Sequence, residues 1–148
     1  MLRKTQLTPS QQGHAAELRT CFDFAARGYS AALSPFPGSP FDVLVDLGDG
    51  GIVTVQVKST SRVKRVRRED GRLRSKYAFV MNGAGKYRKA AVDLYAFVVF
   101  DAAETWAMYV SPSEMRGDYP STKLFGAATF ADRAKDSLDR FLFERMAR

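Results

Sequence analysis

Asp42, Gln56 and Lys58 are the residues of this chain whose types and spacing suit joint chemistry. Asp42 stands just before an alternating segment in which Val43, Val45 and Leu47 are apolar. In the next such segment Val53, Val55 and Val57 alternate with Thr54, Gln56 and Lys58. Side chains two positions apart on a strand share a face, so Gln56 and Lys58 point the same way. A carboxylate, an amide oxygen and an ammonium in one patch are what metal-assisted phosphodiester hydrolysis requires. A hard cation such as Mg²⁺ takes oxygen ligands, acidifies its bound water and offsets charge growing on phosphate oxygens. The ammonium adds a fixed positive charge that orients water or stabilises a pentacovalent phosphate. Glu17, midway along a predicted helix, is placed to supply another oxygen through water.

These residues meet only if the intervening LGDGG turn closes an antiparallel hairpin in a suitable register. A three-residue loop at Asp49-Gly50-Gly51 sets Asp42 opposite Lys58 and Leu44 opposite Gln56, on one face. A two-residue loop at Asp49-Gly50 sets Asp42 opposite Val57 instead, so the cluster needs the odd loop or a bulge. Each residue also has a plainer role. Asp42 suits a turn cap after Pro40, Glu17 a solvated helix flank, and Gln56 with Lys58 the outer face of an edge strand.

The charge points to a polyanion. With 23 Lys and Arg against 16 Asp and Glu, the 148-residue chain carries +7. The fifteen positions from Arg62 to Lys76 hold eight basic and two acidic residues, +6 of that excess. Glu69-Asp70-Gly71 interrupts the run as a turn, because Asp-Gly takes the positive φ of a tight hairpin. The spacing predicts a basic two-stranded ribbon carrying Arg62, Lys64, Arg65, Arg67, Arg68, Arg72, Arg74 and Lys76. Such a ribbon enters a DNA groove or lies along phosphates, with affinity set by counterion release; a solvated loop is the bland alternative. Lys86, Tyr87, Arg88 and Lys89 on a short predicted helix, and Ser39 in the SPFPGSP loop, are further phosphate-contact candidates.

The elements that must position these groups are legible in outline. Thr8-Pro9-Ser10-Gln11 has the form of a capping box with proline at the first helical position. The helix predicted from Pro9 to Arg27 has Ala15, Leu18, Phe22, Ala25 and Ala26 at helical spacing, and Gly28 offers the left-handed residue that ends it. Strands are expected at 29–33, 42–47, 52–58, 77–81, 94–100 and 106–110, followed by a helix start at Ser111-Pro112-Ser113-Glu114. RGDYPSTKLFGAATF reads as loop, and Ala134, Leu138, Phe141 and Leu142 mark a helix over about 131–147. The length suits one domain, 1–148, with a core of about 9–115, and folding should bury roughly 70% of the chain's surface. One cysteine and one histidine exclude a disulfide scaffold and a zinc finger. With no leader-like run and no membrane-length apolar stretch, the expected setting is intracellular, cytoplasmic or nucleoid-associated, not secreted.

The order of Glu17 in HAAELR, a loop into Pro40-Phe41-Asp42, then Gln56-Val57-Lys58 resembles the PD-(D/E)XK nuclease superfamily, in the branch where glutamine replaces the motif's last acid. Over roughly Gln12 to Val110 the chain is similar to the small endonucleases associated with group I introns, and in its first half to archaeal-type Holliday junction resolvases. The resemblance implies an α/β fold with an αβββαβ core and a central mixed sheet flanked by helices. It also implies Glu17 and Asp42 near the metal, Gln56 in the acid's place, Lys58 as catalytic lysine, and the Val57 carbonyl sharing the metal. Phe41 separates the motif's proline from Asp42, and a neutral amide at Gln56 binds Mg²⁺ more weakly than a carboxylate. The expected protein is a Mg²⁺-dependent endonuclease, Mn²⁺ substituting, acting on duplex or branched DNA as a junction-resolving or homing-type enzyme. It works as a homo-oligomer. A non-cleaving DNA-binding module and a basic RNA-binding protein are the rival readings.

Overall fold

The computed structural model describes residues 6–36, 38–81, 92–101, 104–115 and 122–147. Helix α1 is Pro9–Ala25, started by the expected reciprocal capping of Thr8 and Gln11. Gly28 follows its end at φ 88°. Strands β1 (Ser30–Leu33), β2 (Val43–Asp46) and β3 (Ile52–Thr60) come next. The basic segment folds as β4 (Val63–Arg67) and β5 (Leu73–Val80), an antiparallel hairpin in which Lys64 faces Lys76 and Val66 faces Arg74. Its turn has Gly71 at φ 80°, and the Asp70 carboxylate accepts the Arg72 amide. β6 (Leu94–Phe100), β7 (Thr105–Val110), β8 (Thr122–Gly126) and α2 (Ala127–Met146) complete the described chain.

Two sheets result. The larger runs β1-β2-β3-β6-β7, with β3 and β6 parallel and the other pairs antiparallel. The smaller runs β4-β5-β8. β6 is buried along nearly its whole length because both its faces are covered. On one face Val43, Val45, Val53, Val55, Ala96 and Val98 pack with Ala16 and Phe24 of α1 and Leu138 of α2. On the other Tyr95, Phe97 and Val99 meet Phe79, Phe125 and Phe130, whose rings make edge-to-face contacts at 4.8–5.9 Å. The expected mixed α/β architecture is therefore present. The short helix anticipated over KYRKAAVD falls almost entirely on residues outside the described set. No helix among the described residues is long and apolar enough to cross a membrane.

Three local expectations are corrected. The stretch read as loop contains β8 and the first residues of α2, which begins at Ala127 rather than near 131. The Ser111–Glu114 signature opens only a three-residue 3-10 turn, Pro112–Glu114. The apolar spacing on α1 does not mark its buried face: Leu18 and Phe22 are 49% and 65% exposed, whereas Ala16, Thr20, Asp23 and Phe24 are buried. Small Ala16 and Thr20 let the helix approach the sheet, and the Thr20 hydroxyl is satisfied by donating to the Ala16 carbonyl. Asp23 is kept by a network: Tyr109 Oη donates to it at 2.7 Å and Arg19 Nε at 3.0 Å. This network fixes the rotation of α1 on the sheet, and with it the direction in which Glu17 points.

Candidate active site

The β2–β3 hairpin adopts neither of the two registers considered from sequence. Asp46 pairs with Ile52 and Val43 with Val55, leaving Leu47–Gly51 as the connection. Gly48 and Gly51 take φ of 67° and 77°, which tightens it, and the Asp46 carboxylate accepts the Gly48 amide. The turn is held from outside by the end of α2. Arg145 Nε donates to the Gly50 carbonyl at 3.0 Å, and a Cβ on Gly50 would stand 2.8 Å from Met146 Sδ.

This register ends the β2–β3 ladder one residue short of Asp42 and leaves Asp42 at a fork. Its own amide donates to the Val55 carbonyl at 2.8 Å, while its carboxylate accepts the Val57 amide at 2.8 Å. A side chain thus replaces the backbone acceptor where β2 stops. Within a strand the N–H and C=O of one residue point to the same side, so the Val57 carbonyl faces the Asp42 edge as well. The fork lies at the sheet margin, within reach of groups from both faces.

Glu17 from α1 and Lys58 from β3 converge on Asp42. Burial raises the Asp42 pKa above the ordinary value; the Val57 amide and Lys58 pull it back. Burial lowers that of Lys58, and Asp42 opposes the shift. Glu17 is raised first by burial and then by the Asp42 charge, with His14, three residues earlier on α1, acting the other way. Two half-buried carboxylates beside one another are what a cation would relieve. Glu17 and Asp42 also line a cavity of about 290 Å³ with Phe36, Ser39 and Phe41. Ser39 is therefore at the site, with its hydroxyl accepting the Phe41 amide.

Gln56 is 5% exposed and pairs with Tyr95 in the parallel ladder, on the sheet face that Lys58 shares. Its amide lies deeper than the carboxylates. Among the described residues no three His, Cys, Asp or Glu side chains form a metal-holding group. The oxygens at the fork are those of Asp42, Glu17 and the Val57 carbonyl, with the Gln56 amide beneath. Such a hard, carboxylate-poor set fits Mg²⁺, which keeps several waters and binds through one or two carboxylates plus substrate phosphate.

Lys58 opens onto a groove of about 700 Å³ that includes Gln12, Arg62, Lys64, Ala78 and Val80. Gln12 was not singled out from sequence: its amide donates to Ser59 Oγ at 3.3 Å, tying the start of α1 to the residue after Lys58. Only the fold reveals that link. Alternation along the ribbon sends Lys64, Arg74 and Lys76 to one face, and Arg65 and Arg67 to the other. Arg68 and Arg72 flank the turn. Lys86, Tyr87, Arg88 and Lys89 lie outside the described residues.

No protein-family model and no curated protein matches the sequence. Among solved structures, a bacterial homing endonuclease has the same fold, with a TM-score of 0.65 at 12% identity over 96% of each chain. The likeness extends well beyond the Gln12 to Val110 stretch. A Holliday junction resolvase from the archaeal hyperthermophile Archaeoglobus fulgidus aligns over 80% of this chain and 86% of its own, at 9% identity and a TM-score of 0.48.

Proposed function

We propose that this chain is a metal-dependent endonuclease that hydrolyses phosphodiester bonds in duplex or branched DNA. The observation that carries the reading is the fork at Asp42, where a carboxylate fixed by the Val57 amide lies between Glu17 and Lys58. Sharing a fold with a homing endonuclease supports it, as does the run of cations beginning four residues after Lys58. Asp42, Glu17 and the Val57 carbonyl would hold Mg²⁺ or Mn²⁺, with Gln56 next along β3. The metal, when bound, supplies an acidified water and a counter-charge for the phosphate oxygens.

The chain's own groups do the remaining work. The Val57 amide holds the Asp42 carboxylate in place, so no reorganisation is needed when substrate arrives. Lys58 presents a half-buried ammonium to the same spot, where partial desolvation strengthens its field on a phosphate. The ribbon positions the duplex without reading its sequence, since phosphate contacts carry register and base contacts carry specificity. Cutting both strands takes two such sites, so the working form is a symmetric homo-oligomer. The exposed Leu18 and Phe22 on α1 offer apolar surface for it.

The test is cleavage of supercoiled, linear and four-way-junction DNA with and without Mg²⁺, comparing the natural chain with Asp42→Ala. Metal-dependent cutting by the first and none by the second is expected. If neither cuts any of the three, the enzyme reading is lost.

A further inference from the structure

A second cavity, of about 480 Å³, opens beside β5 at its ribbon end. β8 pairs with β5 only from Val80 to Lys76, because at Gly126 the chain leaves the sheet and enters α2. The Leu73–Ser75 stretch therefore has β4 along one side and no β8 along the other, and the first turn of α2 lies over the opening. Arg68, Arg74 and Lys76 line this space, together with Ser75, Gly126 and Thr129.

We infer that this cavity holds a second backbone phosphate of the bound DNA, remote from the bond at the Asp42 fork. The inference deepens the nuclease reading and rests on it. Three cations share one cavity, and none of them forms an ion pair among the described residues. Lys64, outside the cavity, stands directly across the ladder from Lys76. Like charges directly opposite one another destabilise a sheet, so the fold tolerates a repulsion that an anion would remove. By contrast, Lys135, Arg140 and Arg145 on α2 each stand within 4.0 Å of a carboxylate.

The start of α2 reinforces the same polarity. Gly126 provides no side-chain cap, and the first turn contains no acidic residue. The Thr129 hydroxyl, at the mouth of the cavity, can donate to an anion there.

Continuity with the candidate site identifies the anion as part of the same nucleic acid. Lys64 lines the groove onto which Lys58 opens, and its ladder partner Lys76 lines the second cavity. Lys64 and Lys76 thus join the two cavities across the ladder. Six residue steps along β5, from Val80 to Arg74, span roughly 20 Å. For a duplex lying along β5, with one phosphate per roughly 3.4 Å of axis on each strand, that is about five or six nucleotides.

The experiment uses the full chain without divalent cation and the DNA form it cuts best with Mg²⁺, replacing single phosphates in turn by neutral methylphosphonates. Two positions of lost affinity are expected, one at the cut and one about five nucleotides away. Arg74→Gln and Thr129→Val, tested separately, should abolish the second loss and leave the first, with the salt slope falling by about 1 for the arginine. Lys135→Gln, on α2 and paired with Asp132, should leave both. A single position of loss, or a second one insensitive to both Arg74→Gln and Thr129→Val, overturns the inference. So does tight binding of inorganic phosphate in the cavity without that positional pattern. Failure to cut any DNA with Mg²⁺ would instead sink the nuclease reading itself.

Discussion

The cations of the ribbon and those of the helical layer live under opposite conditions. In the layer formed by α1, β7 and α2, Arg19 meets Asp23 at 3.0 Å, Arg27 meets Asp139 at 2.6 Å and Arg140 meets Glu114 at 3.7 Å. Pairing favours both charges: the Asp139 hydrogen bond holds the Arg27 guanidinium above its usual pKa, and Arg27 draws the Asp139 carboxyl down. From Arg62 to Lys76 no cation has an ion pair among the described residues, and two lysines face each other across a ladder. Where the fold supplies a counter-ion, charge fastens elements together; where it withholds one, charge is held for something outside the chain. The Asp42 fork stands between the two: Asp42 and Lys58 support each other's charge, while burial displaces both from their ordinary pKa.

The contrast predicts that the two regions fail differently. Lys58→Ala should lower single-turnover cleavage by about 10²- to 10³-fold, the usual effect of removing one preorganised electrostatic group. Thermal stability should stay the same or rise, because the substitution removes a half-buried ammonium whose charged form is disfavoured by burial. Melting curves beside the kinetics check this. A large loss of melting temperature would place Lys58 with the structural charges and break the comparison.

Next in size, Lys64→Ala combined with Lys76→Ala should reduce the slope of log affinity against log salt by about 2. Lys135→Ala combined with Arg140→Ala should leave that slope alone. Equal slopes for the two double variants would mean that the ribbon's charge is merely solvated.

Stability should respond in the other region. Tyr109→Phe takes the 2.7 Å hydrogen bond from the buried Asp23 carboxylate and should cost about 1–3 kcal/mol in denaturant unfolding. The salt slope should be unchanged.

How much of this was legible beforehand follows from how local each feature is. The capping box at Thr8, the Asp70-Gly71 turn and the alternation of β2 and β3 are set by neighbours in sequence, and each formed as read. The hairpin register was not legible, because it depends on α2 gripping Gly50 from 95 residues away. β8 was missed for a similar reason. Its five residues carry little pattern of their own and become a strand by pairing with β5. The face of α1 was misread because an aspartate belongs to its buried side, which makes sense only once Tyr109 and Arg19 are seen around it. The cluster of Glu17, Asp42 and Lys58 was anticipated by residue type, but the means of assembly was not: a carboxylate replaces a missing ladder partner.

The smallest expected effect gives the finest separation between the two regions. Burial and Asp42 raise the Glu17 pKa on folding, so the folded chain holds that proton more tightly than the unfolded chain. Stability from this group is then greatest below the unfolded value of 4.5 and declines as pH rises from there through the folded value. Glu17→Gln removes the titration, and should raise the melting temperature slightly at about pH 7 while changing it little at about pH 4. Asp139→Asn should behave oppositely. Its pKa is lowered on folding by Arg27, so it contributes stability above the unfolded value of 3.8, and its substitution should cost a little at about pH 7. The pair is exposed, which keeps that cost within about 1 kcal/mol. Two acids changed to their amides should thus move stability in opposite directions at one pH, and a shift of the same sign for both would erase the distinction between charge that fastens and charge that is held in reserve.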